Sequence, residues 1–270
     1  DSLMAMSVQI MSHCRYLLRI GIVAATHSDS GHRWYEKHDA VIVGHMVRLT
    51  KLYDGIAYHV AQKEAELAMV FQRMIFECSL RVEYLISSPE REKSCESFIF
   101  TSFRPEREEL ADLLEKERLR PLIPIEQRMK QSMEAWLNRE GITLAQLRSN
   151  RSWNVDGINA RDMMKKLGYA DKGYPYMFGN ASHFVHGDWL DIAMHHLHRN
   201  TNDENRYLPK LEYREPDPRI SGPITRISLT TLHKYVSWSG AGEREPRLPE
   251  AVRELHDLVQ KVDSAHEQRL

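Results

Sequence analysis

Between residues 61 and 87 apolar side chains return every three or four positions, through Ala65, Ala68, Phe71, Ile75, Cys78 and Val82, until Pro89 stops the pattern. That period lines them along one face of a helix, whereas a strand would need alternation. Two similar stretches come first. Residues 2–25 carry Leu3, Met6, Ile10, Leu17 and Ile20 at mostly three- and four-residue spacing, and residues 37–60 set Val41, His45, Arg48, Leu52 and Ile56 along one line. Three long amphipathic helices in the first third, and no convincing run of strands anywhere, constrain the fold to an all-α helical bundle.

Prolines and glycines mark where the remaining helices end. Between them, His27 to His32 form a Gly/Ser-containing turn. Pro105 divides the stretch 91–120, half of it charged, into two helices, and Pro121 and Pro124 end the second. Residues 126–140 form another, stopped at Gly141. Thr143 then caps a short helix carrying Leu144 and Leu147, and Asn159 caps one running to Gly168. Residues 174–199 read as one further long helix. Residues 200–224, rich in Asn, Pro, Asp and Arg, read as a surface loop with at most one short hairpin, followed by closing helices at 225–237 and 248–268. The expectation is about eight to ten helices: a bundle domain over 1–199, and a C-terminal extension over 200–270 packed on it.

Composition bounds the setting. Lys plus Arg number 37 and Asp plus Glu 38, so the chain lacks the basic excess of a dedicated duplex-DNA binder, and any nucleic-acid site must be local. Three cysteines, Cys14, Cys78 and Cys95, with no CxxC spacing, exclude a disulfide framework and point to a reducing, cytoplasmic setting. The apolar stretch from Leu3 to Ala25 contains His13, Arg15 and Arg19, which are costly in a bilayer, so no membrane contact is expected. Residue 1 is Asp and not Met, which leaves a leader or an upstream domain open.

Four residues stand out chemically. Ser182 and His186 are four apart, on one face of their helix at the margin of its apolar side. A histidine titrates near neutrality and can move a proton, or it can simply bond a neighbouring carboxylate. Arg73 and Glu77 are also four apart, on the most apolar helix of the chain. They either form an intrahelical pair that orients the bundle, or present a guanidinium, held by Glu77, to a phosphate or carboxylate. Arg48 on the preceding helix is able to join such a site. Residues 147–172 hold six basic side chains (Arg148, Arg151, Arg161, Lys165, Lys166 and Lys172) against Asp156, Asp162 and Asp171, either a solvated surface or a seat for a phosphate backbone. His195, His196 and His198 suggest a metal, yet neighbouring side chains on a helix point apart. No phosphate-binding glycine loop, nucleophile elbow or paired-carboxylate motif is present, and no cofactor or metal is expected.

Two segments carry a resemblance. Phe71-Gln-Arg-Met-Ile-Phe-Glu77, and the series Ser152-Trp153, Ala160-Arg161-Asp162, Leu167-Gly168, Tyr176 and Ser182-His-Phe-Val-His186-Gly187, together resemble a bacterial all-helical family known only as a domain of unknown function, numbered fifty-six seventy-seven. The resemblance covers roughly residues 35–195. It implies a fold class and a site, with Arg73, Glu77, Ser182 and His186 at its centre and Arg48, Trp153, Arg161 and Tyr176 as substrate contacts, but no reaction. Asn180 to Asp188 is also similar to the HEPN superfamily of helical ribonucleases and nucleotide-binding proteins, whose signature sets an Arg a few residues before a His that is often followed by Gly. Here His186-Gly187 supplies the end of that signature, and Ala181 stands where the Arg would be.

The resemblances imply a bacterial defence or toxin effector acting on RNA or a nucleotide without a metal, with His186 moving the proton and Arg73 or Arg48 stabilising the phosphorane. The competing expectation is a non-catalytic interaction subunit, with a protein partner or a second copy of itself, in which the same polar cluster only stiffens the bundle. What separates the two first is whether Arg73, Glu77, Ser182 and His186 meet in one open cleft.

Overall fold

The computed structural model describes residues 2–28, 31–143, 145–146, 154–170, 173–200 and 206–268. Among them helix dominates. The long elements are α1 (Ser2–Thr26), α2 (Lys37–Ala61), α3 (Ala65–Ser87), α4 (Arg91–Ser102), α5 (Arg104–Leu119) and α6 (Pro124–Glu140). After a 3₁₀ turn at Val155–Gly157 come α7 (Ala160–Lys166), α8 (Asn180–His186), α9 (Trp189–Asp191), α10 (Pro218–Ser239), α11 (Ala241–Arg244) and α12 (Leu248–Glu267). The all-α expectation holds; α9 and α11 are little more than one turn each.

Two small antiparallel hairpins interrupt the helices where one at most was expected. β1 (His27–Ser28) pairs with β2 (Gly31–His32), and β3 (Leu197–Arg199) with β4 (Tyr207–Pro209), Leu197 opposite Pro209. The expected helix over 174–199 is also broken. It opens with a π turn at Pro175–Gly179, runs as α8, and stops at Gly187, whose φ of +57° favours glycine. Asp188 then caps α9, its carboxylate accepting the backbone N–H groups of Leu190 and Asp191, and a second π turn (Ile192–His196) leads into β3. The loop expected to reach 224 ends at Asp217 instead. Asp217 caps α10 by accepting the Arg219 N–H at 2.9 Å, and Pro218 takes the first helical position, where its missing N–H has no cost. Leu144 and Leu147 lie outside the described residues; Thr143 caps as expected, its hydroxyl accepting from Gln146 N–H at 3.3 Å.

The chain forms two compact units. Residues 88–159 make one, with Leu110, Leu113, Leu122, Met133, Leu137 and Ile142 as its core. The other combines residues 1–87 with 160–270, and α3 is its central helix, packed on α2 and on α10, while α1 lies against α10, α12 and α2. On α2 the buried line is Ile42, Met46, Leu49, Tyr53, Ile56 and Val60, which leaves Val41 and Leu52 half-buried and Arg48 exposed. Side chains of this size each contribute ~1.5–3 kcal/mol when buried, which is why the apolar line and not the polar one sets the rotation of α2. Gly55 lets α2 approach closely: a Cβ there would lie 2.5 Å from the Phe71 ring. α10, at the start of the expected extension, lies within this core with Ile224, Leu229, Leu232 and Tyr235 fully buried, and Thr225 bonds Tyr53 Oη at 2.6 Å. Among the described residues no helix is long and apolar enough to cross a membrane.

Candidate functional site

Helix α3 turns its apolar side chains toward α2 and α10, which leaves the line Arg73, Glu77, Arg81 half-buried or exposed along one edge. α8 lies against that edge. Four residues apart on each helix, two pairs therefore meet. Arg73 Nε donates to Glu77 Oε1 at 3.0 Å, and one Arg73 amino nitrogen donates to Ser182 Oγ at 3.0 Å and faces His186 Nε2 at 3.1 Å. Arg73, Glu77, Ser182 and His186 are thus a single hydrogen-bonded cluster. His186 is its exposed end, whereas the Arg73 side chain is only 19% exposed.

The bond directions fix more than the distances do. A guanidinium only donates, so His186 Nε2 must accept and carries no proton in this arrangement. Ser182 has one proton, and it goes to the Phe178 carbonyl at 2.7 Å; its oxygen lone pair receives Arg73. Ser182 is therefore committed to holding the guanidinium and has no proton left for chemistry. Glu77 holds the other edge of Arg73 and is also approached by Arg81 at 3.5 Å. Beneath the cluster, the Arg73 guanidinium lies 4.1 Å from the centre of the Phe178 ring, a cation–π contact. Phe178 stacks on Tyr174 at 4.8 Å, and the Arg161 guanidinium sits 6.0 Å from the Tyr174 ring. The π turn at Pro175–Gly179 carries Phe178 into this stack; such turns recur at functional sites.

Of the expected substrate contacts, Arg161 reaches the site through that aromatic stack. Tyr176 lies in the π turn, but its side chain falls outside the described part, as does the whole of Trp153. Arg48 does not join: it is exposed on α2, where its charge and that of Arg81 act on the buried His45 and Cys78. Of the basic stretch 147–172, Arg148, Arg151 and Lys172 lie outside the described residues, while Arg161, Lys165 and Lys166 are exposed on α7. The three clustered histidines diverge. His195 is buried against Phe184, His196 faces Asp191 at 3.4 Å and His198 faces Glu212 at 3.7 Å, and among the described residues no group of three or more His, Cys, Asp or Glu is placed to hold a metal ion.

One arrangement escapes the sequence pattern. His183 Nδ1 bonds Asp188 Oδ2 at 2.5 Å, across the helix stop at Gly187. That bond and the α9 backbone N–H groups hold the Asp188 carboxyl below its usual range. Asp188 is therefore an anchored carboxylate that orients a second imidazole, three residues before His186. Its signal was the Gly-Asp pair after His186: glycine to end one helix, aspartate to begin the next.

A model of a family of unknown function, DUF5677, matches residues 39–205. The chain belongs to this family. The DUF5677 span contains both helices that build the cluster, and it ends before α10. No curated protein and no solved structure matches the chain. In this DUF5677 chain position 181 is a fully buried alanine, and the guanidinium beside His186 comes from α3 and not from the helix of the histidine.

Proposed function

We propose that this DUF5677 protein is a metal-independent ribonuclease of the HEPN-like kind, a bacterial effector of a defence or toxin system, acting on RNA at the Arg73–His186 cluster. The observation that carries the reading is the unprotonated Nε2 of an exposed imidazole set 3.1 Å from a fixed guanidinium. This is the pairing that in-line attack by a 2′-hydroxyl requires: a base for the hydroxyl proton and a cation for the charge that develops on the phosphoryl oxygens. His186 Nε2 takes the 2′-hydroxyl proton as the 2′-oxygen bonds phosphorus. Arg73, released from the imidazole by the incoming phosphate, stabilises the phosphorane. The bond to the 5′-oxygen then breaks, leaving a 2′,3′-cyclic phosphate and a 5′-hydroxyl. His183, held by Asp188, is the imidazole placed to protonate that leaving oxygen. Glu77 and Ser182 act through Arg73 as positioning residues, and Arg161 and the exposed Lys165 and Lys166 receive neighbouring phosphates.

The test is RNA cleavage by the full chain in EDTA. Wild type cuts RNA to cyclic-phosphate ends and leaves a 2′-deoxy substrate intact. His186→Ala lowers the rate by about 10²–10⁴-fold, the usual worth of a general base, with an unchanged melting temperature because the side chain is exposed. Equal cutting and equal cellular toxicity for wild type and His186→Ala would exclude the enzyme. A specific observation supports the second reading, an interaction subunit: beyond α8 the apolar side chains of Trp189, Leu190, Met194, Leu208 and Leu211 are all exposed.

A further inference from the structure

A second cavity, of about 220 Å³, opens away from the cluster and has α3 as one wall. Its polar floor is buried. Gln72 is 4% exposed and His195 7%, and both line the cavity; Gln72 Oε1 and His195 Nδ1 have no hydrogen-bond partner. Buried polar atoms are nearly always satisfied, so two orphans in one cavity point to something that enters it. Beside them Glu66 is immobilised, both carboxylate oxygens accepting the backbone N–H of Arg214 at 3.0 and 3.1 Å. The rest of the enclosed wall is apolar: Met69, Ile220 and the ring of Phe184, which also contacts the His195 ring at 5.1 Å. At the rim two guanidinia share one carboxylate. Arg214 and Arg219 approach Asp217 at 3.3 and 2.9 Å, with the arginine side chains 47% and 54% exposed, which leaves one positive charge in excess facing solvent.

We infer that this cavity is a binding site for a nucleoside monophosphate, with the base enclosed and the phosphate at the rim. An amide and a neutral imidazole together offer both donors and acceptors in a plane, which suits the edge of a nucleobase. The Phe184 ring and Met69 suit its flat face. The volume falls below that of sites for drug-sized ligands and suits one heterocycle with part of a sugar. Arginines that exceed their carboxylate partner suit a phosphate. Burial keeps His195 neutral, so its ring meets the base as a hydrogen-bonding group and not as a charge. The inference stands apart from RNA cleavage, since none of these residues belongs to the Arg73–His186 cluster.

Isothermal titration of the full chain with the four common ribonucleoside monophosphates, their nucleosides and inorganic phosphate decides it. At least one monophosphate saturates, its nucleoside binds more weakly, and phosphate alone does not bind in the same range. Gln72→Leu weakens the monophosphate by about tenfold or more. It leaves the melting temperature unchanged or raised, because the amide oxygen it removes is unpaired. Phe184→Leu, outside the polar floor, weakens base and nucleotide together. Arg219→Gln weakens the monophosphate but not the nucleoside. His186→Ala binds as wild type does, which separates this site from the nuclease reading. The inference falls if no monophosphate saturates by about 1 mM, if inorganic phosphate binds equally well, or if Gln72→Leu and Phe184→Leu leave affinity unchanged; the cavity then holds water only.

Discussion

Glu83, in the second half of α3, is fully buried, and its removal tests the core most directly. Its carboxylate accepts three side chains: Tyr169 Oη at 2.7 Å, Thr231 Oγ1 at 2.8 Å and Lys234 Nζ at 2.5 Å. Burial, and then the Glu83 charge, push the Tyr169 hydroxyl well above its usual range, so it stays a donor at every working pH. A hydrogen bond to a charged group is worth ~1.5–3 kcal/mol net, but the three do not simply add. Thr231 retains a second acceptor, the Ile227 carbonyl at 2.9 Å, and Lys234, whose side chain is 34% exposed, regains water. The Glu83→Ala loss is therefore set by Tyr169, the partial loss at Lys234 and the void, at about 3–4 kcal/mol, in keeping with the cost of breaking a buried pair. That is a large share of the roughly 5–15 kcal/mol that stabilises most domains, and it lowers the melting temperature by roughly 10 °C. Urea unfolding followed by circular dichroism at pH 7 measures it. A second arm separates breaking the network from replacing it: Glu83→Leu with Lys234→Met recovers at least half of the loss, because two apolar side chains leave no charge stranded. A loss below about 1 kcal/mol for Glu83→Ala would refute the reasoning, since a carboxylate worth that little is a solvated one.

Three further outcomes are expected. His45 is pushed down to about 4 by burial, then by the charges of Arg81 and Arg48, so between about pH 6.5 and 4 the unfolded chain binds a proton that the folded chain refuses; stability falls on the order of 3 kcal/mol as pH drops through that window, and His45→Gln flattens this acid limb in urea titrations. Gly55→Ala places a methyl 2.5 Å from the Phe71 ring and costs about 1–3 kcal/mol; Phe71→Leu in the same chain relieves most of it, and equal costs in both backgrounds would show that the glycine is not a spacing element. Arg73→Lys keeps the charge but loses the fork that reaches Glu77, Ser182 and His186 together, so RNA cleavage falls about a hundredfold or more while the melting temperature moves by only a few degrees; retained cleavage would mean that a point charge suffices.

Much of the cluster was legible because each half is local. Arg73 with Glu77, and Ser182 with His186, are four-residue pairs on helices whose apolar period fixes their rotation, so each pair had to share a face. Their meeting was not a local property; it came from the family resemblance, which set the two segments in one order. The breaks in the helix over 174–199 were harder to see. Apolar residues continue past Gly187 with nearly the same period, and only the αL glycine and the Asp188 cap mark the restart. The start of α10 was hidden by Pro223 inside it, which reads as loop, although Asp217-Pro218 is an ordinary helix opening. Arg48 was misjudged through its helix: His45 and Ile56 are buried, but Met46, Leu49 and Tyr53 pull the face round and leave Arg48 in solvent. The nucleotide-sized cavity had no signature, because Glu66, Gln72, Phe184, His195 and Arg219 come from segments that only the tertiary fold assembles.

The chain leaves its central helix early and returns to cover it late. α3 ends at Ser87, residues 88–159 form a compact unit of their own, and α10, which buries one side of α3 and binds Glu83, begins only at Pro218. On a ribosome adding roughly 5–20 residues per second, about 130 residues separate the two, so the apolar sides of α1 and α3 and the carboxylate of Glu83 wait roughly 7–26 seconds for their partners. The unit at 88–159 uses contacts close in sequence and is free to close during that interval. A nascent chain stalled before Pro218 therefore displays a finished small unit beside an unfinished large one, and that intermediate is where a chaperone has the most apolar surface to hold.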